Sequence, residues 1–476
     1  MKKPGIIISL IPVTVIIVVI FLGVRMFGED ITSGPSQIAL MFSSVLTSVI
    51  AIYYLKVPWE RLEKGMMEHL TKTGPSIFIL LMIGALTGSW MLSGVVPAMI
   101  YYGLKIISPV VFLLVAFLLC GLVSFMAGSS WTTIGTIGIA MLSAGQIIGF
   151  PAPWLAGAVI SGAYLGDKVS PLSDSTNLAA SVAGVDLYEH VRYLIITTIP
   201  ALIITVIVFT IAGITLPINN TLDISNQLAI ISGTFNISPW LLLVPVYTII
   251  LIIKKISPFI TLFSSAMLGA VVACIYQPDI ISQIAPDNMS YLGKSLYASL
   301  QMLSTSVTIE TGDTMLNSLT STSGMAGMLN TVWIILCVVT FGGAMEASGM
   351  IHTITEKMMV FMKNTFSLVT STMTTTIFIN ITLSDQYMAI LLPGKMFSET
   401  YEKLGYEPKL LSRTLEDSAT VTSVLVPWNT CGVIQSSVLN VATLAYLPYC
   451  IFNLATPLVT MAIAAIGYKI KRKNLA

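Results

Sequence analysis

Apolar residues along this chain form long continuous runs broken by short polar islands. The runs fall at about 6–22, 35–55, 75–94, 108–127, 131–149, 153–165 and 193–214. After a polar loop at 217–236 they resume at about 238–253, 257–276, 329–348, 366–383, 386–393, 418–427 and 433–467. Many approach or exceed the roughly 18–20 apolar residues that a helix needs to cross lipid. A membrane β-barrel would show short alternating segments instead. The pattern therefore predicts an all-α polytopic membrane protein, with a turn near Pro448 inside the last run. The start, Lys2-Lys3 followed by Ile6 to Leu22, resembles a signal sequence. The flank Gly23 to Gly28 lacks a small-x-small cleavage pattern, so an uncleaved first span is expected.

The polar islands carry the functional information. The densest is Gly166-Asp167-Lys168-Val169-Ser170-Pro171-Leu172-Ser173-Asp174-Ser175-Thr176-Asn177. Backbone interrupted in this way is tolerated within a membrane only where it lines a protected cavity. A second island, Glu416 to Thr422 leading to Pro427-Trp428-Asn429-Thr430-Cys431-Gly432, interrupts the other half. Two more, Gly128 to Thr133 and Ser384-Asp385-Gln386-Tyr387, sit at the tips of apolar hairpins.

Basic residues set the expected orientation. Lys56, Arg61, Lys64 and Lys72 mark the 56–74 loop, Lys254 and Lys255 a turn, and Lys469 to Lys473 the C-terminus. All are expected on the cytoplasmic side with Lys2 and Lys3, and the 217–236 loop outside. Lys357, Lys363, Lys403, Lys409 and Arg413 place both ends of segment 366–398 inside, so it must enter and return. Each half then reads as a re-entrant or spanning hairpin followed by a broken helix: hairpin 108–149 with broken helix 153–182 in residues 1–214, and hairpin 366–398 with broken helix 414–442 in residues 238–476. Residues 215–237 form an extracellular linker. The first hairpin starts outside and the second inside, the parity of inverted-topology repeats whose broken helices meet near the bilayer midplane.

Composition narrows the function. The 476 residues are 55% hydrophobic and 9% charged, with a net charge of +1. Soluble domains carry about 25% charged residues, so lipid is the main partner, and nothing suggests nucleic acid. Four of the five cysteines lie in apolar runs as small hydrophobes; the fifth, Cys431, lies in a polar break. The three histidines, His69, His190 and His352, read as interfacial, and no spacing suggests a metal cluster. There is no nucleotide-binding loop, HExxH or GxSxG, so neither ATP-driven transport nor an enzyme is expected.

Secondary transport remains. A small hard cation such as Na+ takes oxygen ligands from carboxylates, hydroxyls, amides and freed carbonyls. A carboxylate buried in lipid is costly when charged, so it binds either a proton or a cation. Competition between the two is the simplest exchange device. The candidate ion or substrate residues are Ser129, Ser130, Thr132, Thr133, Ser173, Asp174, Ser175, Thr176, Asn177, Ser384, Asp385, Asp417, Thr420, Asn429 and Thr430. Asp174, Asp385 and Asp417 are the proton-coupling candidates, and Asp174, Ser175, Asn177 and Asp385 the Na+ set. Asp167 ranks lower, as an interfacial ion pair with Lys168, and Glu416 is placed at the interface with Arg413. Glu310, Asp313 and Glu346 have no assigned role.

At these residues the chain resembles the NhaC family of Na+/H+ antiporters. The resemblance rests on Gly166 to Ala179, on Pro427 to Gly432, and on Leu383 to Tyr387 with Leu392-Pro393-Gly394. It implies Na+ extrusion in exchange for H+ at a cytoplasmic membrane, with no cofactor beyond Na+ as the transported or coupling ion. Some relatives instead exchange carboxylates, malate against lactate, with Na+ and H+ moving too. The wider superfamily implies scaffold and transport domains and often a homodimer.

Overall fold

In the computed structural model residues 3–27, 34–216, 224–358 and 364–470 are described, and among these the chain is helical with one isolated β-bridge, between Val307 and Thr322. Among the described residues eight helices are long and apolar enough to cross a membrane, from Ile6–Phe27 to Ala326–Ala347. Lys2, residues 217–223 of the linker expected outside, Lys363 and the basic residues from Lys471 onward lie outside the described residues.

The two hairpins and two broken helices form close to their expected positions. The first hairpin has arms Pro109–Ala127 and Ser130–Ile148. Gly128 turns the corner in the left-handed region at φ 63, where a Cβ is disfavoured, and one added there would stand 2.6 Å from the Leu172 carbonyl carbon. The first broken helix runs Ala152–Val169, unwinds, and restarts as Asp174–Ala183. Pro171 lacks the N–H that a continuous helix needs. In the second half the hairpin arms are Thr365–Thr382 and Gln386–Lys403, and the broken helix is Pro408–Ser423 followed by Thr430–Leu439.

Each broken helix starts in one hydrophobic core and ends in the other. Leu155, Val159 and Tyr164 pack into a core with Phe112 and Phe117 of the first hairpin. After the break, Ala179 and Ala183 belong to a second core with Ile390 and Phe397 of the second hairpin. The other chain reverses this: Leu410, Leu411 and Leu415 lie in the second core, Cys431 and Leu439 in the first. In the second broken helix the change comes just before the break, since Val421 and Val424 already lie in the first core. Hairpin and broken helix approach closely in the first half, because Gly162 and Gly166 face backbone. A Cβ at Gly162 would sit 2.1 Å from the Phe117 carbonyl oxygen, and one at Gly166 2.2 Å from that of Gly121.

Several boundaries differ from the hydropathy reading. The expected 56–74 loop is mostly helix, since Trp59–Leu92 begins well before its apolar part. An amphipathic turn supports a helix without a continuous apolar run. The second hairpin extends to Lys403 for the same reason. The part of the 217–236 loop that is described contains the helix Ile224–Thr234. The long last run divides twice, at Asn440 with φ 51 and at Cys450 before Ile451–Ile466.

Candidate functional site

A cavity of about 670 Å3 lies where the polar islands meet. Its wall is built from the first hairpin tip, both sides of the first break, the second hairpin tip and the start of Thr430–Leu439. The opposite wall comes from other parts of the chain: Lys72, Pro75, Ser76 and Ile79 of Trp59–Leu92, and the turn Ile252 to Pro258. Of the predicted residues, Ser129, Ser130, Thr132, Ser173, Asp174, Ser175, Asn177, Asp385 and Thr430 line this cavity. Thr133, Thr176, Ser384, Asp417, Thr420 and Asn429 stand behind it.

The second rank of residues holds the break open. The Thr176 hydroxyl donates to the carbonyls of Asp167 and Lys168, at 3.2 and 3.1 Å, capping the helix that ends there. Thr133 donates to the Ser129 carbonyl at 3.0 Å. Asn429 Oδ1 accepts from the Cys431 N–H at 3.0 Å, and its amide donates to the Asn380 carbonyl at 3.0 Å. Trp428 Nε1 donates to the Ile381 carbonyl at 2.7 Å, and the Thr430 N–H to the Ser384 carbonyl at 2.9 Å. The second hairpin tip and second break are thus one hydrogen-bonded unit, with Ser384 held at φ 57.

Three carboxylates face the cavity: Asp167, Asp174 and Asp385. Asp174 and Asp385 stand at the N-termini of their own helices, and Asp167, in the last turn of Ala152–Val169, reaches the N-terminus of Ser130–Ile148, where unpaired N–H groups favour negative charge. Asp385 caps Gln386–Lys403 by accepting from the Met388 N–H at 2.8 Å. Asp174 is the first residue of its own helix and is exposed. Asp167 Oδ2 accepts from the Ser130 N–H at 3.2 Å and the Ser130 hydroxyl at 2.7 Å, and its Oδ1 from Ser173 Oγ at 2.6 Å. Among the described residues no three His, Cys, Asp or Glu side chains stand close enough to chelate a metal together.

The ranking of acidic residues by sequence needs correction. Asp167 does not pair with Lys168 at an interface; both are buried. Neighbouring residues on a helix point in different directions, so Asp167 turns to the hairpin tip. Lys168 reaches Asp417 instead, Nζ to Oδ1 at 2.7 Å, with both side chains fully buried. Thr460 donates to Asp417 Oδ2 at 2.7 Å. Asp417 is therefore committed to a pair behind the cavity.

Glu416 is not interfacial either. It is fully buried, and Oε1 lies at hydrogen-bond distance, 3.1 Å, from Ser175 Oγ. Arg413 is also buried and lies over the Tyr193 ring, 4.4 Å from its centroid. Ser175 Oγ lies 3.0 Å from Ser173 Oγ. Its hydroxyl therefore meets both Ser173 and Glu416, which ties it into a hydrogen-bond chain at the cavity wall. His69 and His190 are buried rather than interfacial; His69 bonds Glu346, and His190 Nδ1 lies 2.8 Å from Ser412 Oγ. Glu310 and Asp313 serve a local loop away from the cavity, accepting from Asn317 Nδ2 at 2.6 Å and the Leu316 N–H at 2.9 Å.

A carboxylate-lined cavity flanked by two broken helices suits a secondary transporter. The model describing the Na+/H+ antiporter family matches residues 5–176 and 162–468. The chain belongs to this family. It is 34% identical to the Na+/H+ antiporter NhaC of Alkalihalophilus pseudofirmus, over 89% of each chain. It is equally 34% identical to the malate-2H+/Na+-lactate antiporter of Bacillus subtilis, over 91% of this chain and 90% of that one. The solved YdaH transporter of Alcanivorax borkumensis aligns over 86% of this chain and 89% of its own, with TM-score 0.40 and 12% identity. Family membership makes the chain an antiporter and a multi-pass membrane protein, not an enzyme.

Proposed function

We propose that the chain exchanges Na+ for H+ by alternating access. The observation that carries this reading is the charge on the cavity. Asp167, Asp174 and Asp385 line it, while its lysines, Lys72 and Lys255, are exposed side chains on the opposite wall. The surplus is negative and suits a cation. Asp174 and Asp385 bind the ion, aided by Asn177, whose amide nitrogen is turned inward to the carbonyls of Pro171 and Ser173, at 3.1 and 2.7 Å. That leaves Asn177 Oδ1 as an oxygen for the cation. Positive-inside bias makes the side marked by Lys72 and Lys255 cytoplasmic, so this is an inward-facing state in the cytoplasmic membrane with both termini inside.

The hydrogen bonds that join the second hairpin tip to the second break into one unit support alternating access. A rigid unit of hairpins and broken helices moves against the wall formed by Trp59–Leu92 and the 252–258 turn. This is the motion that inverted repeats permit.

One feature favours carboxylate exchange as a second reading. The N-terminus of Thr430–Leu439 meets the cavity capped by two neutral groups, the Asn429 side chain and the Ser384 carbonyl, leaving a positive helix end without a carboxylate. Proteoliposomes containing a pH dye distinguish the readings. Na+ alone drives a pH change under the first; if the pH moves only when malate or lactate is added, the first reading is wrong.

A further inference from the structure

We infer that Asp167 and Glu416 share a single proton through the Ser173 and Ser175 hydroxyls, and that Glu416 is its resting place. The inference rests on the antiport reading for its role in transport, but the placement of the proton follows from counting. The four groups form a chain with three links. Ser173 Oγ meets Asp167 Oδ1 at 2.6 Å, Ser173 Oγ meets Ser175 Oγ at 3.0 Å, and Ser175 Oγ meets Glu416 Oε1 at 3.1 Å. Each link needs one hydrogen, and each hydroxyl supplies one. If both serines donate outward to carboxylates, nothing bridges them. The third hydrogen must come from a carboxyl group. With the proton on Glu416, Glu416 donates to Ser175, Ser175 to Ser173, and Ser173 to Asp167, and all three links are made. With the proton on Asp167 the chain runs the other way.

The surroundings choose between these arrangements. Asp167 accepts two further hydrogen bonds, from the Ser130 N–H and hydroxyl, which stabilise its charged form. Glu416 Oε2 is buried without a hydrogen-bond partner, and the Thr420 hydroxyl one turn away, which would favour its charge, makes no hydrogen bond either. Desolvation without donors disfavours a charge, so the proton stays on Glu416. The charged groups acting on it across the packing are Asp167 and Lys168, and its own helix carries Asp417 and the buried Arg413, which lies over the Tyr193 ring. The helices Thr365–Thr382 and Ile451–Ile466 bring none. Of these, Lys168 is already paired with Asp417.

The chain connects a buried acid to the cavity. When a cation enters, the proton leaves Glu416 as each hydroxyl accepts one hydrogen and passes its own on. Asp167 receives it and releases it to cavity water, and Glu416 is left as a carboxylate. Return of the proton reverses every transfer. Cation binding at Asp174 and Asp385 and proton storage at Glu416 are then separate sites joined by two serines.

The test uses the purified full-length protein in weakly buffered detergent, with NaCl added against choline chloride. Na+ binding is followed by calorimetry and proton release by a pH dye. Wild-type protein should release protons as Na+ binds, and Glu416→Gln should bind Na+ without releasing them. Full release from Glu416→Gln overturns the inference. So does loss of Na+ binding, because Glu416 would then belong to the cation site. Ser175→Ala should slow exchange about tenfold, the cost of one strong hydrogen bond, and Ser175→Thr should restore it. Equal rates for both overturn the relay. Infrared spectroscopy separates this inference from the antiport reading. A protonated-carboxyl band at neutral pH that disappears in Glu416→Gln places the proton even if wild type proves to move no Na+, and its persistence in the variant places it elsewhere.

Discussion

Replacing Asp417 by Asn should destabilise the protein by about 3–5 kcal/mol, as breaking one side of a buried ion pair does. The magnitude follows from the environment of Lys168. Its ammonium is fully buried, 2.7 Å from Asp417 Oδ1. Two unit charges at that distance attract by about 6 kcal/mol at an effective dielectric of about 20. Several kcal/mol of desolvation per ion offset this, so the intact pair contributes little net stability. Asp417→Asn removes the attraction and leaves the desolvation. Lys168 would keep only neutral partners: the new carboxamide oxygen, Thr197 Oγ1 at 3.5 Å and the Phe452 ring at 5.7 Å. The double variant Lys168→Met with Asp417→Leu removes both charges and should fall within about 1 kcal/mol of wild type or exceed it. Cys120, Cys337, Cys431 and Cys450 are free and buried, so a fluorogenic maleimide reports unfolding of the detergent-solubilised protein on heating. The single variant should unfold several degrees lower than the double. An unchanged Asp417→Asn, or a double variant as unstable as the single, refutes the argument and places the pair in a wetter environment than its burial implies.

Asp174→Asn and Asp385→Asn should each abolish Na+-driven pH change in proteoliposomes while leaving the protein folded in size-exclusion chromatography; full activity in both would remove the proposed cation site. Because protons and Na+ compete, apparent Na+ affinity of the wild type should weaken as the pH is lowered, and a pH-independent affinity would argue against exchange. Gly162→Ala and Gly166→Ala should each lower stability by about 1–3 kcal/mol or more, since the added methyl meets backbone carbonyls at 2.1 and 2.2 Å. Ser384→Gly should be neutral or stabilise, while Ser384→Val should cost about 1–3 kcal/mol, because φ 57 strains a β-branched residue; equal unfolding temperatures for the two would contradict the backbone geometry.

The hairpins and broken helices were legible because each leaves a local mark: a polar tip between apolar arms, or glycine and proline beside hydroxyls and carboxylates. The helical start of Trp59–Leu92 was hidden because its first turns are amphipathic and carry lysines, which hydropathy alone reads as a loop. The cavity's opposite wall was hidden for a different reason. Lys72 and Lys255 stand far apart in the chain, and only packing brings them to the same opening.

The acids show where sequence order misleads. Asp167-Lys168 and Glu416-Asp417 are adjacent pairs, and adjacency suggests that each acts as a unit. A helix turns successive side chains through about 100°, since 3.6 residues make one turn, so each pair must divide between two neighbours. Here the division interlocks. Asp167 connects to Glu416 through Ser173 and Ser175, and Lys168 connects to Asp417 directly. Two consecutive residues of one broken helix therefore grip two consecutive residues of the other, one contact charged and one carrying a movable proton. The charged contact fixes the register in which the proton chain can form. A change in the relative position of the two broken helices must disturb both contacts together, which ties the state of the proton to the geometry of the cavity wall.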